Sequence, residues 1–190
     1  MFIKEKLILI GASTGGPGHL KKIFFSLNPS FSTPVIIAQH MNSVFITSFV
    51  KQFDDELPFK FCLANSIHNI ERSTMYICAT HCELDKMEKY LKLKSVKNVG
   101  SNYNPSVDYL FMSAAKLCKV YDVLAILLTG IGHDGAQGLS DLQNAGATCI
   151  AESEESAIVY GMPKKAVELN SDIKVMNLNQ ITSYIKRFGE

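Results

Sequence analysis

Three side chains that together could carry out nucleophilic catalysis occur far apart in the chain: Ser13, His40 and Asp134. A serine hydroxyl is a weak nucleophile at neutral pH and needs a base, which the imidazole of His40 could provide. A carboxylate such as that of Asp134 could hold the imidazole in the required tautomer and stabilise its protonated form. The three residue types therefore point to acyl transfer through a serine.

Each of these residues taken alone also has a simpler explanation. Ser13 lies in a glycine-rich turn, and such turns after a first strand often only bind phosphate. His40 alone is more typical of a hydrogen-bonded structural histidine, and Asp134 could cap a helix. The three together, each at a predicted strand end, favour an active site. Their order Ser, His, Asp differs from the Ser, Asp, His order of α/β-hydrolases and argues against that superfamily.

The turn that presents Ser13 follows from the local pattern. Four aliphatic residues at 7–10 predict a buried parallel strand that ends in glycines. Gly11, Gly15 and Gly16 are expected to take positive φ and to leave space for a ligand. A helix with one apolar stripe should follow, and its first turn offers unpaired N–H groups and a positive dipole end. That stripe consists of Leu20, Ile23, Phe24 and Leu27.

The rest of the chain alternates apolar strands with amphipathic helices. Strands are predicted at residues 7–10, 35–38, 59–63, 75–79, 123–128, 147–151 and 173–176. Helices are predicted after residue 16, from residue 43 through Phe53, between residues 106–118, after residue 135 up to Gly146, from Pro163 as a short helix, and at 180–188. This alternation predicts an α/β fold, a doubly wound, mostly parallel sheet with helices on both faces, that is, a three-layer sandwich. A small antiparallel excursion is expected within residues 66–99.

Composition sets limits on the class of protein. The chain has 190 residues, 47% of them hydrophobic and 19% charged, which is compatible with a single globular domain spanning residues 1–190. A net charge of +1 gives no reason to expect nucleic acid or an anionic membrane as partner. No apolar run approaches the roughly 18 residues of a membrane span. Five scattered cysteines are typical of reduced thiols, so we expect a cytoplasmic protein.

Five sequence blocks resemble the catalytic domain of CheB-type chemotaxis receptor methylesterases, in that family's order along nearly the whole chain. They are I-G-A-S-T-G-G-P at 10–17, Q-H-M at 39–41, N-P-S-V-D-Y-L-F at 104–111, L-T-G-I-G-H-D-G-A-Q-G-L at 128–139 and V-Y-G-M-P at 159–163. A set of this kind is far more specific than any single motif.

The resemblance implies a role for each candidate residue. Ser13 would be the nucleophile, His40 the general base and Asp134 the orienting carboxylate. The backbone N–H of Thr14, at the predicted helix start, is suited to stabilise the oxyanion, and the family suggests a second donor at Ile131.

The resemblance also implies a reaction and a partner. The enzyme would be a protein-glutamate methylesterase that removes methyl groups from glutamate methyl esters on the cytoplasmic helical region of chemoreceptors. Deamidation of receptor glutamines is the same acyl transfer with ammonia leaving, and both reactions would contribute to chemotactic adaptation. Neither a metal nor an organic cofactor would be required.

The sequence departs from the family pattern at several places. Ile131 stands where the family usually has Met, Tyr103-Asn104 replace His-Arg, and Ala79-Thr80-His81 replace Ala-Pro-Gly. The first strand begins a few residues after Met1, so the sequence predicts no N-terminal receiver domain.

Three alternatives stay open at this point. The glycine-rich turn with Tyr160 and Lys164 resembles short-chain dehydrogenases that bind NADP, although no acidic residue ends the second strand and Pro163 interrupts the required helix. The chain could instead be a non-catalytic receptor-binding module, against which the intact candidate residues argue. A metal site from Cys78, His81 and Cys82 lacks a second pair of ligands.

Several other side chains carry weaker expectations. His19, His68 and His133 are expected on the surface or in loops. The acidic run at 152–155 predicts a solvated loop with a possible substrate contact. Core positions are expected for Phe45, Phe49 and Phe53.

Overall fold

A computed structural model describes residues 4–87 and 90–189. The strands of the main sheet are β1 (Glu5–Ala12), β2 (Val35–Gln39), β3 (Lys60–Ala64), β5 (Thr74–Cys78), β8 (Tyr121–Leu127), β9 (Thr148–Glu152) and β10 (Lys174–Met176). A smaller sheet contains β4 (Ile67–Asn69), β6 (His81–Met87) and β7 (Tyr90–Val96). The helices are α1 (Gly16–Phe25), α2 (Ser43–Glu56), α3 (Val107–Ala114), α4 (Ala136–Asn144), α5 (Met162–Leu169) and α6 (Leu178–Gly189).

The first strand of the chain lies in the middle of the main sheet. The strand order is β10-β9-β8-β1-β2-β5-β3, and each neighbouring pair is parallel. Ala12 of β1 pairs with Gln39 of β2, and Gly11 pairs with Leu127 of β8. Parallel strands are covered on both faces, which explains why β1 is a continuous apolar run rather than an alternating one.

The main sheet separates two hydrophobic cores. Leu7 and Leu9 face a core formed with α3, α4, α5 and the small sheet, whereas Ile8 and Ile10 face a core formed with α1, α2 and α6. Successive side chains of a strand point to opposite faces, so a single apolar run supplies both cores. The predicted doubly wound, three-layer α/β fold is confirmed.

The antiparallel excursion lies where it was expected. Strand β7 pairs with β4 on one side and β6 on the other, both antiparallel, within residues 66–99. Residues 74–78 are the exception, because β5 joins the main sheet between β2 and β3. The small sheet packs on α3 and thereby brings His81, its first β6 residue, next to Ser106.

Some expectations about single residues are wrong. Gly11 and Gly16 do not have positive φ; an added Cβ would collide with Val107 at Gly11 and with Gln39 at Gly16, so these glycines allow close packing. His19 is buried rather than exposed, because Glu152 provides a buried partner. Phe45 is 67% exposed, whereas Phe53 of the same series is in the core.

Within residues 4–87 and 90–189, no helix combines the length and the hydropathy needed to cross a membrane.

Candidate active site

Ser13 and His40 lie side by side at the carboxyl edge of the main sheet. Each is the first residue after its strand, and the preceding residues, Ala12 and Gln39, are paired in register. The backbone N–H of His40 donates to the carbonyl of Ala12 at 2.9 Å. Neighbouring strands lie about 5 Å apart, so the two backbones that carry these side chains are adjacent. Active sites of open α/β sheets occur at this edge.

The buried side chain of Gln39 links the two residues further. Its Nε2 donates to the carbonyl oxygen of Ser13 at 3.0 Å and to that of His40 at 2.9 Å. One amide group therefore holds both backbones at a common point. The Q-H-M block of the sequence contains this residue, but only the fold reveals its role.

Residues 13–15, referred to below as the nucleophile turn, are also held from the β8 side. The Ser13 N–H donates to the carbonyl of Thr129 at 3.0 Å. A Cβ at Gly130 would lie 2.7 Å from the Cβ of Ser13, so only glycine permits this approach. Gly15 has a φ of 86°, and a Cβ there would lie 2.7 Å from the Cβ of Ile158. The turn thus depends on glycines at Gly15 and Gly130.

His40 and Asp134 are in direct contact. His40 Nε2 lies 2.7 Å from Asp134 Oδ2, and the two side chains are 14% and 2% exposed. With Nε2 donating to this carboxylate, Nδ1 is the ring nitrogen left to accept a proton from Ser13. Across the part of the chain that the structure describes, the Ser13 hydroxyl makes no hydrogen bond to His40. Such bonds are often long in enzymes without substrate and shorten when substrate binds.

The carboxylate of Asp134 binds the N-terminus of α3. It accepts hydrogen bonds from the N–H of Val107 at 2.7 Å, from the N–H of Asp108 at 3.0 Å and from the hydroxyl of Ser106 at 3.1 Å. Burial alone would raise the pKa of Asp134, but hydrogen bonds from His40 and from the two backbone N–H groups outweigh it and lower that pKa. Asp134 is therefore ionised. It does not cap α4, because the N-cap of that helix is Gly135.

His81 supports the same cluster from the small sheet. Its Nδ1 accepts a hydrogen bond from the N–H of Ser106 at 3.2 Å. Burial lowers the pKa of His81, although the nearby charge of Asp134 opposes this shift. The alternative that His81 ligates a metal with Cys78 and Cys82 finds no support, because no three metal-binding side chains converge within the described ranges.

Tyr103 covers the imidazole of His40. The two rings are stacked, with centroids 5.0 Å apart and planes inclined by 10°. Tyr103 also contacts the exposed His133 ring edge to face, at 5.7 Å between centroids. Tyr103, one of the residues that depart from the family pattern, thus stacks on the imidazole of His40, the candidate base.

The two candidate oxyanion donors are the backbone N–H groups of Thr14 and Ile131. Thr14 and Ile131 are both exposed, and neither backbone N–H donates to an acceptor within the described parts of the chain. Thr14 follows Ser13 in the chain, and Ile131 follows Gly130, at which an added Cβ would lie 2.7 Å from the Cβ of Ser13. Unpaired backbone donors this close to a serine are candidates for an oxyanion hole.

Sequence reasoning missed most of the residues that hold this site in place. Ser106, Val107 and Asp108 occur in the N-P-S-V-D block, where the only visible signal was a helix start. Their contact with Asp134 joins segments that are separated by more than twenty residues, and no local pattern predicts it.

The glycine-rich turn is not open to a dinucleotide. Gly16 packs against the side chain of Gln39, and Gly15 packs against Ile158. A phosphate-binding loop needs this space and its backbone N–H groups free. The dehydrogenase alternative loses its main support.

Comparison with known proteins gives a consistent result. A protein-family model described as CheB methylesterase matches residues 8–185. A protein-glutamate methylesterase/protein-glutamine glutaminase of Carboxydothermus hydrogenoformans is 35% identical over 187 residues, which cover 95% of this chain and 52% of that protein. A protein of the same name from Hahella chejuensis is 37% identical, over 97% of this chain and 51% of its own length.

One solved structure is similar over its whole length. The crystal structure of the Thermotoga maritima CheB methylesterase catalytic domain superposes with a TM-score of 0.87 at 28% identity, covering 97% of this chain and 99% of that one. The chain thus spans about half the length of the curated relatives that it matches.

Proposed function

This chain belongs to the CheB methylesterase family, and on that premise we propose that it hydrolyses γ-glutamyl methyl esters on the cytoplasmic helical region of chemoreceptors. The products are a glutamate side chain and methanol. The observation that carries the proposal is the contact of His40 Nε2 with Asp134 Oδ2 at 2.7 Å, beside Ser13 at the carboxyl edge of the sheet.

The reaction follows from the positions of these groups. The Ser13 oxygen attacks the ester carbonyl while Nδ1 of His40 takes the hydroxyl proton, and Asp134 stabilises the resulting imidazolium through Nε2. The oxyanion accepts hydrogen bonds from the N–H groups of Thr14 and Ile131.

The imidazolium then protonates the leaving methoxide, which departs as methanol and leaves an acyl-enzyme. Water, deprotonated by the same imidazole, cleaves this intermediate, so that Ser13 regains its proton and the substrate leaves as a carboxylic acid. The proton of Ser13 thus leaves with methanol, and a proton from the water molecule replaces it.

Deamidation of receptor glutamines is a second activity of the same site. The relatives from C. hydrogenoformans and H. chejuensis carry the name protein-glutamine glutaminase besides protein-glutamate methylesterase. Ammonia replaces methanol as the leaving group, and no further residue is needed.

The test is release of methanol from membranes that contain methylated chemoreceptors. The protein should release methanol and restore glutamate, and protein pretreated with a serine-directed phosphonate should not. Receptor binding without methanol release would instead favour the non-catalytic receptor-binding module. A shift of the unfolding temperature on titration with NADP would favour the dehydrogenase alternative.

The rate of ester hydrolysis should rise with pH between about 5 and 8, the range in which histidine side chains change charge. The pKa of Asp134 is lowered, so this carboxylate stays ionised throughout that range and does not contribute to the change in rate. The measurement is kcat/KM for a methyl ester at constant ionic strength. A profile that is flat from pH 5 to 8 would contradict the role of His40.

Replacing Tyr103 by alanine should lower kcat about tenfold, because a stacked aromatic ring stabilises a neighbouring cation by about 0.5–2 kcal/mol and the imidazolium forms during the reaction. Tyr103→Phe keeps the ring and is the matched control. Steady-state kinetics of the two variants separate the contribution of the ring from that of the hydroxyl. Equal losses in both variants would assign the effect to the hydroxyl instead.

A further inference from the structure

The buried carboxylate of Glu152 lies close to the nucleophile turn but has no part in the reaction described above. It was expected in a solvated loop, whereas Glu152 ends β9 and is 0% exposed. It accepts hydrogen bonds from the N–H of Thr129 at 2.8 Å and from the hydroxyl of Ser156 at 2.7 Å, and it lies 3.2 Å from Nδ1 of His19. A charge that is removed from water in this way is tolerated only when it is fully hydrogen-bonded.

Thr129 binds both this carboxylate and the nucleophile turn. Its N–H is held by Glu152, and its carbonyl accepts the N–H of Ser13. Its hydroxyl donates to the carbonyl of Thr14 at 2.9 Å and accepts the N–H of Val159 at 2.9 Å. One residue thus contacts two of the three residues of the turn.

His19 likewise binds both the carboxylate of Glu152 and the nucleophile turn, at Gly15. It lies in α1, and its backbone N–H donates to the carbonyl of Gly15 at 3.3 Å, while its ring binds Glu152. The carboxylate of Glu152 therefore links the segment that follows β8 to α1, and both of these contact the nucleophile turn.

The position of the Ile131 N–H, the second candidate oxyanion donor, depends on the same contacts. The N–H of Gly130 donates to the carbonyl of Val159 at 3.0 Å, and Val159 is itself bound to the Thr129 hydroxyl. Ile131 follows directly. A displacement of Thr129 would therefore move the N–H groups of Thr14 and Ile131 relative to each other.

We propose that Glu152, together with His19, is a positioning residue that fixes the nucleophile turn and the spacing of the two oxyanion donors. This inference rests on the proposed role of Ser13 as nucleophile. Because the pair does not touch the substrate, its loss should lower the rate of acylation and kcat and should leave KM nearly unchanged.

Glu152→Ala tests the proposal, with Glu152→Gln as the conservative variant. The alanine variant should react with a serine-directed fluorophosphonate about 10²-fold more slowly, since small misplacements of reacting groups cost this much. The glutamine variant keeps an oxygen for the Thr129 N–H and should stay within about tenfold of wild type. Its amide can still reach the His19 ring and the Ser156 hydroxyl.

Tyr76→Phe is the matched control for lost buried hydrogen bonds. The Tyr76 hydroxyl accepts the N–H of Glu71 and donates to the carbonyl of Asn69, both at 3.0 Å and away from the nucleophile turn. This variant should label at the wild-type rate. All assays are made well below each variant's unfolding temperature, and amide hydrogen exchange of Ser13 and Thr129 should accelerate only in Glu152→Ala.

Wild-type labelling and exchange rates in Glu152→Ala would overturn the inference, as would an equal loss of labelling in Tyr76→Phe. These outcomes differ from a failure of the proposed function. In that case the wild-type protein releases no methanol from receptor membranes, while the labelling and exchange measurements still report on the turn.

Discussion

Ser13→Ala should abolish ester hydrolysis and reduce kcat by on the order of 10⁶-fold, as removal of a catalytic serine does in other hydrolases. Without the hydroxyl no acyl-enzyme can form, and the oxyanion donors next to the turn retain only a small rate enhancement. The Ser13 backbone N–H still binds Thr129, so the turn should remain in place. The measurement is methanol release from methylated receptor membranes, with circular dichroism and thermal unfolding on the same sample.

Ser183→Ala is the control for this substitution. Ser183 is exposed on α6, where its hydroxyl donates to the carbonyl of Asn179, remote from the sheet edge that carries the site. The esterase activity of Ser183→Ala should equal that of the wild type. Turnover retained by Ser13→Ala in a folded sample would refute the nucleophilic role.

Asp134→Asn should lower kcat by about 10⁴-fold, the effect of the same change in a serine protease. In the wild type, Oδ2 accepts from His40 and Val107, while Oδ1 accepts from Ser106 and Asp108. An asparagine has one oxygen, so its NH₂ group must face donors on one side. If the NH₂ group faces His40, it donates to Nε2, and the ring proton moves to Nδ1, where it blocks proton transfer from the nucleophile.

The same variant should also lose stability. A buried N–H of α3 left without an acceptor costs ~1–3 kcal/mol in the free energy of unfolding. Because the pKa of Asp134 is lowered in the folded protein, the carboxylate stabilises the fold above the ordinary carboxyl range of about pH 4, and this contribution disappears as the pH falls through the folded-state pKa. The difference between wild type and Asp134→Asn should therefore be full at neutral pH and shrink in acid.

Glu83→Gln provides the matched control, because this carboxylate accepts the hydroxyl of Tyr109 on α3 at 2.8 Å but does not touch His40 or Asp134. Its kcat should be that of the wild type. An Asp134→Asn variant with wild-type kcat at neutral pH would contradict the role of the carboxylate in holding the imidazole.

The fold could be predicted from the sequence because the central strands are local runs of apolar residues, which can be recognised without knowledge of the tertiary contacts. The apolar run in β1 is buried on both faces, and its abrupt end in glycines marks the point where Ser13 emerges. Strands β2 and β8 are also buried apolar runs, so the edge at which His40 and Asp134 lie could be predicted from the strand ends. The contact between His40 and Asp134 agrees with that expectation.

The supporting contacts could not be predicted because they join distant segments. Burial of His19 depends on Glu152, which lies 133 residues away, and nothing near either residue indicates the pairing. Gly16 was interpreted as space for a ligand, but the space is occupied by the side chain of Gln39. Phe45 is exposed because the buried face of α2 is formed by Ile46, Val50 and Phe53, and Phe45 lies on another face of the helix.

The central place of β1 has a consequence for how the protein is made. During synthesis this strand leaves the ribosome long before β8, although β8 completes its hydrogen bonding and the segment that follows β8 supplies the Thr129 carbonyl to which the Ser13 N–H donates. Pairing of segments so distant along the chain is slow and cannot begin until both have been translated. A nascent chain that stops before residue 129 should therefore lack a reactive serine, so that esterase activity appears only after the second half has been translated.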